Sequence, residues 1–138
     1  MSSTSTQPFP PTHIVNATSP HTHTAILIHG RGSNGQEFAQ ELFDTKLSNQ
    51  VSLAQKFPTW RWVFPSSREL WSTAFEEDLP AWFEAHSLTN INDRQDLQLP
   101  GISESIKHLN AILDEEIARL GGISENVILG VQGGWERL

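Results

Sequence analysis

The chain contains no cysteine. That absence excludes disulfides, Cys-ligated zinc, iron–sulfur clusters and thiol nucleophiles. Basic charge is also scarce: 9 Lys and Arg face 16 Asp and Glu, for a formal net charge of −7. A nucleic acid is therefore not expected as partner, because phosphate binding needs a basic surface. Neither Lys nor Arg occurs before Arg31. The basic n-region of a secretory signal and an Arg-rich transit peptide are both missing, and a cytoplasmic protein is the expectation. The longest wholly apolar run is residues 25–28, far short of the roughly 20 residues that a membrane-spanning helix needs. At 37% hydrophobic the sequence is a little poor in core material, but five Trp and seven Phe offset this, since aromatic rings bury a large area each. A length of 138 residues leaves room for one domain and one core.

Residues 1–12 are mostly Ser, Thr and Pro, a composition expected to stay a flexible arm. The domain is expected over residues 13–134, with 135–138 an unrelated tail. His13-Ile14-Val15 reads as a short edge strand. Residues 24–29 (TAILIH) form a continuous apolar run ended by glycine, the pattern of a strand buried on both faces. Asn34 is placed to cap a helix reaching Leu47, with Phe38, Leu42 and Phe43 at helical spacing. Residues 60–64 read as a second core strand stopped by Pro65, and residues 66–100 as a long irregular loop. Ile102, Ile106, Leu109, Leu113, Ile117 and Leu120 recur every three or four positions. They predict an amphipathic helix that Gly121 and Gly122 stop. Residues 126–130 (NVILG) predict another buried strand. The order of elements gives an α/β fold with a mainly parallel sheet.

His29-Gly30-Arg31-Gly32-Ser33-Asn34-Gly35 satisfies G-x-G-x-x-G between a strand and a helix, which raises a dinucleotide site. About twenty residues on, where a carboxylate should hold the ribose, the chain has Leu53-Ala54-Gln55-Lys56. The alternative is an oxyanion-hole loop, in which glycines free backbone N–H groups to face a developing negative charge. A plain strand-to-helix turn fits this segment equally well. Ser33 follows Arg31 rather than a glycine at the second position back, so it fails the nucleophile-elbow pattern and reads as a loop or capping serine. His21, His23 and His13 lie in a Thr/Pro-rich stretch without acidic or Cys partners; they read as solvated, and no metal site is expected. Asp114-Glu115-Glu116 and Glu76-Glu77-Asp78 both read as solvated faces. Residues 127–134 (VILGVQGG) form an apolar strand running into a sharp glycine turn, the way an α/β-hydrolase presents its serine.

Together these segments resemble the phospholipase/carboxylesterase family of α/β-hydrolases, the group that contains acyl-protein thioesterases. The likeness is carried by residues 25–35, by Val63-Phe64-Pro65, by residues 79–84, and by the helix from Ile102 through to Gly130. It implies an incomplete α/β-hydrolase fold whose sheet ends at the nucleophile-elbow strand. It also implies a serine carboxylic-ester or thioester hydrolase that acts on acylated proteins or small esters with no cofactor. Family members end this strand in Leu-Gly-Gly-x-Ser-Gln-Gly-Gly. Here it reads Leu129-Gly130-Val131-Gln132-Gly133-Gly134, with no serine before the glutamine.

By resemblance, the backbone N–H groups of Arg31 and Gln132 form the oxyanion pair. Gly130, Gly133 and Gly134 are the elbow remnant, and Trp71 and Trp82 flag an acyl groove. No catalytic Ser, Asp or His is assigned, so the chain is expected to be inactive alone. A non-catalytic acyl-chain or protein-binding pseudoenzyme is the alternative. Among origins for this ending, a misread exon boundary is favoured over a truncated splice form or a decayed gene. Val127, Ile128 and Leu129 are expected to form an exposed apolar edge open to self-association.

Overall fold

Where apolar residues run without interruption, the chain forms the strands of one central sheet. The structure, a computed structural model, describes residues 8–72, 76–83 and 99–132. Along the chain come β1 (His13–Val15), β2 (His23–Ile28), α1 (Gly35–Asp44), α2 (Leu53–Lys56) and β3 (Trp60–Phe64). They are followed by β4 (Glu69–Ser72), β5 (Glu77–Pro80), α3 (Leu99–Arg119), a 3-10 turn (Ser124–Asn126) and β6 (Val127–Val131). The main sheet has the order β1-β3-β2-β6. β2 is parallel to both β3 and β6, and β1 closes the far edge antiparallel to β3. The α/β class and the mainly parallel sheet are as expected.

Side-chain alternation along β2 and β3 divides the core between two faces. On one face Ala25, Trp62 and Phe64 pack against Ala39 of α1, with Phe38, Leu42, Phe43 and Leu53 around them. Phe43 meets Trp62 and Phe64 edge-on, with ring centroids 5.3 and 5.8 Å apart, the arrangement aromatic pairs favour. On the other face Thr24 and Arg61 meet Glu116 of α3. The acidic run Asp114-Glu115-Glu116 is therefore not a uniformly solvated face. Glu116 is only 3% exposed, and its carboxylate accepts from Arg61 Nε and Nη2 at 3.0 and 3.3 Å.

Helix ends follow local chemistry. Asn34 Oδ1 accepts the Glu37 N–H at 2.8 Å and caps α1, as expected. α1 stops at Asp44 rather than Leu47, and α2 follows behind a Ser52/Gln55 capping box. Gly121 and Gly122 hold positive φ and return N–H groups to Ala118 and Ile117, a Schellman stop for α3.

Three expectations change. The stretch after Ser66 is not wholly irregular, because β4 and β5 pair as an antiparallel hairpin. The arm is not loose over its full length, because Phe9 is half-buried and stacks on Trp82 and His108. The last strand is not buried: Ile128, Leu129 and Val131 of β6 are 48, 58 and 51% exposed. In the parallel register Ile128 stands beside Ala25, and Leu129 and Val131 stand beside Ile26 and Ile28. Both faces of β6 are therefore uncovered, as the expected apolar edge required. Gly133, Gly134 and the tail at 135–138 lie outside the described residues, as do residues 73–75 and 84–98 of the expected loop.

Candidate functional site

In a parallel sheet the strands end together, and ligands bind where they end. Here the carboxyl ends of β2, β3 and β6 gather residues 29–33, residues 65–68 and Gln132. His29 is fully buried. Its Nδ1 lies 2.7 Å from the Gly30 carbonyl, and its Nε2 lies 2.9 Å from the Ser67 backbone nitrogen. The second contact can only be a backbone N–H donating to a ring nitrogen, so Nδ1 carries the proton and donates to Gly30 O. The buried imidazole thus satisfies one backbone carbonyl and one backbone N–H, which explains a histidine at the end of an apolar strand.

The loop is clamped from the side by the segment leaving β5. Trp82 Nε1–H donates to His29 O at 2.9 Å, and Gly32 N–H donates to Pro80 O at 2.8 Å. Gly32 has φ +85°, a conformation glycine adopts without steric cost. Arg31 reaches out from the loop, donating from Nη1 to Phe83 O at 3.3 Å with its guanidinium carbon 5.2 Å from the Phe83 ring centroid. Among the described residues no acceptor takes the Arg31 N–H.

Gln132 is differently employed. Its N–H donates to Ile28 O at 2.9 Å, continuing the β2–β6 ladder. Its Oε1 accepts the Gly30 N–H at 2.7 Å, and its Nε2 donates to Glu41 of α1 at 3.2 Å. The second half of the pair is thus spent on structure, because the strand runs straight through Val131 into Gln132. Gln132 acts here as a brace between β6, the glycine loop and α1.

The structure does not bring Trp71 and Trp82 into one groove. Trp71 stands on β4 and is 52% exposed, whereas Trp82 is 3% exposed and packs on His29 with ring centroids 5.0 Å apart. Among the groups covering the Trp82 indole is the Phe9 ring, 6.4 Å away between centroids. A cleft of about 640 Å³ opens instead at the carboxyl end of β3, lined by Pro8, His13, Asn34, Ser66 and Arg68 among others. Ser33 Oγ faces Glu37 Oε1 at 3.4 Å, consistent with a loop serine. His13 pairs opposite Phe64 and His23 beside Trp60. Four residues of β3 therefore separate them, about 13 Å at strand rise, too far to share an ion.

Sequence reasoning missed the Trp82 clamp, the Gln132 brace and the role of His29. All three depend on partners more than 35 residues away. The only local sign was a histidine where an apolar residue was due.

Burial holds the His29 pKa below the ordinary histidine value of 6.5, although the Gly30 carbonyl and Glu37 push the other way. His108 is lowered too, by burial and by Arg68. A lowered folded pKa means that the unfolded chain binds more protons, so stability is complete above about pH 6.5 and falls as the solution is acidified. The unfolding free energy from urea denaturation, and with it the urea midpoint, should fall between pH 7 and pH 5. His108→Phe should flatten part of that slope. A midpoint constant across this range would refute the buried neutral imidazoles.

Among relatives, the phospholipase/carboxylesterase family profile matches residues 10–135. Acyl-protein thioesterase 1 of Yarrowia lipolytica is 32% identical over 110 residues, covering 79% of this chain and 44% of that protein. Acyl-protein thioesterase 1 of Schizosaccharomyces pombe is 29% identical over 118 residues, covering 85% and 47%. The crystal structure of Zea mays acyl-protein thioesterase 2 superposes with a TM-score of 0.60 at 25% identity, covering 88% of this chain and 44% of that one. The chain thus spans less than half the length of the curated relatives it matches, and the match falls on their N-terminal part.

Proposed function

The chain belongs to the phospholipase/carboxylesterase family, and on that premise we propose that it is one portion of a serine ester or thioester hydrolase. It supplies the sheet and a single oxyanion donor, Arg31 N–H, and does not hydrolyse esters by itself. The substrates of the completed enzyme are acylated proteins or small carboxylic esters, by likeness to the acyl-protein thioesterases it matches. A cytoplasmic location belongs to the same reading. Among the described residues no helix is long and apolar enough to cross a membrane.

The observation that carries the inactivity is the state of His29, the histidine in the loop. A serine nucleophile needs an imidazole lone pair as its base. The His29 lone pair is taken by Ser67 N–H, and its proton by Gly30 O. Among the described residues no serine hydroxyl is hydrogen-bonded to an imidazole. The Thr–His pairs that do exist, Thr24 with His21 and Thr22 with His23, lie at the opposite ends of the strands. At the elbow, Val131-Gln132 stands where the family pattern has its serine.

A fluorophosphonate probe is the direct test. The purified chain should take up no label and turn over no p-nitrophenyl butyrate above the buffer rate. Labelling that disappears in Ser33→Ala would overturn the reading. The open edge of β6 carries the partner side of the proposal, since an uncharged apolar edge strand pairs readily with another chain. The same preparation should therefore associate with rising concentration in sedimentation velocity. A non-catalytic acyl-chain binder is the second reading, favoured by the cleft at the end of β3. Saturable binding of a fluorescent fatty acid without turnover would select it.

A further inference from the structure

Phe9 is the only aromatic residue in the first twelve, set between Pro8 and Pro10-Pro11. Its ring lies parallel to the His108 imidazole, with centroids 3.8 Å apart and 3° between planes. On the Trp82 side the centroids are 6.4 Å apart at 24°. The Arg68 guanidinium carbon stands 4.5 Å from the Phe9 centroid. Three groups from separate parts of the chain, on α3, after β5 and after β3, therefore enclose the space of one aromatic ring. Flat stacking and a cation over the ring face both favour an aromatic occupant over an aliphatic one.

The occupant arrives on the irregular segment that leads into β1. Residues 8–12 belong to no strand or helix, and among the described residues they make no hydrogen bond. Ring contacts hold the segment in place, while its prolines reduce the entropy lost on docking. The walls, by contrast, are built in. Ser105 of α3 donates to the Trp82 carbonyl, and Trp82 donates to the His29 carbonyl at 2.9 Å. Trp82 therefore connects the slot to the glycine loop: its ring centroid lies 6.4 Å from that of Phe9 and 5.0 Å from that of His29.

We propose that the Trp82–His108–Arg68 slot is a binding site for an aromatic side chain on a proline-flanked extended peptide, and that Phe9 is its intramolecular ligand. Docked, Phe9 holds Trp82 against His29 and keeps residues 29–33 ordered. Displaced by a competing ring, it releases both. This inference does not depend on whether the chain hydrolyses esters, because its readouts are binding and loop order.

The test uses full-length Phe9→Ala and a synthetic peptide with the sequence of residues 5–12 (STQPFPPT). The Trp82 indole N–H signal, identified by its loss in Trp82→Phe, should shift in Phe9→Ala by NMR. Amide exchange over residues 30–33 should rise about tenfold, as expected when a local contact is lost. Added peptide should restore both signals with a dissociation constant on the order of 1 mM, typical of a contact that works through tethering. The same peptide with alanine in place of phenylalanine should do nothing. Wild-type spectra for Phe9→Ala, or a folded Phe9→Ala that ignores the peptide, would overturn the proposal. Should Phe9→Ala not fold, His108→Ala removes one wall and leaves the segment intact. It should show the same indole shift and faster loop exchange, with no recovery on adding peptide; an unchanged spectrum there refutes the slot.

Discussion

Gly35→Ala is expected to cost about 3–5 kcal/mol of stability, at the upper end for a single substitution. A Cβ at this position would lie 2.3 Å from the Phe64 carbonyl oxygen and 3.0 Å from Ser66 Oγ. The closer atom is backbone, in a strand whose Phe64 is fully buried, so no side-chain rotation relieves the overlap. Relief requires α1 to move off β3. That motion breaks the Gly35 N–H bond to Ser66 Oγ, now 2.9 Å, and loosens Phe38 and Phe43 from Phe64.

Gly32→Ala is the internal comparison. It meets no atom within 4 Å and suffers only from its φ of +85°, a cost of about 1–2 kcal/mol. Urea denaturation of the two variants should separate them clearly. A Gly35→Ala protein within 1 kcal/mol of wild type would show that the helix–strand contact is looser than described. The result also bears on the glycine pattern. The last glycine of a G-x-G-x-x-G run serves close helix–strand packing, and Gly35 has that role here.

Removing the Glu116 carboxylate should be comparably damaging. Glu116→Ala is expected to cost about 3–5 kcal/mol, as for other buried ion pairs broken on one side. The carboxylate takes two bonds from Arg61, lies 3.4 Å from Arg119 Nε and accepts from the buried Thr24 hydroxyl at 3.4 Å. Without it the Arg61 guanidinium, 14% exposed, loses its only acidic partner among the described residues. Asn16 Oδ1 still accepts from Arg61 Nη1 but brings no charge. Replacing both members, as Arg61→Met with Glu116→Leu, should recover most of the loss, since apolar isosteres often equal a buried pair. Equilibrium denaturation of the single and double variants decides this. A single variant that loses less than about 1 kcal/mol, the range of a surface pair, would mean the pair contributes as if exposed.

Local signals in the sequence led to much of this architecture. The TAILI run and the tryptophan-rich strand before Pro65 form the buried strands of the main sheet, as continuous apolar stretches are expected to, and the VILG run forms its exposed edge strand. The three-and-four spacing from Ile102 to Leu120 defines α3. Asn34 caps α1 through a bond three residues long. α2 was equally legible, since Ser52 and Gln55 have capping-box spacing, but its single turn carries no hydrophobic period. What escaped was long-range. Glu116 sits in an acidic triplet, and only its contact with Arg61, 55 positions earlier, sets it apart from Asp114 and Glu115. Phe9 lies in a stretch whose composition predicts disorder, yet one ring finds a slot made by residues 68, 82 and 108. Gln132 was read for its backbone, whereas its side chain makes the connections.

The pairing of β2 with β6 also has a consequence in time. Thr24 lies beside Val127, a separation of 127 − 24 = 103 positions. At the 5–20 residues per second of protein synthesis, β2 leaves the ribosome about 5–20 s before its second neighbour exists. During that interval β3 can cover one side of the TAILI strand, and the other side waits unpaired. Contacts this distant form slowly even once both strands are present. The middle of the finished sheet is therefore, during biosynthesis, its most adhesive edge, and the yield of folded chain depends on what meets that edge first.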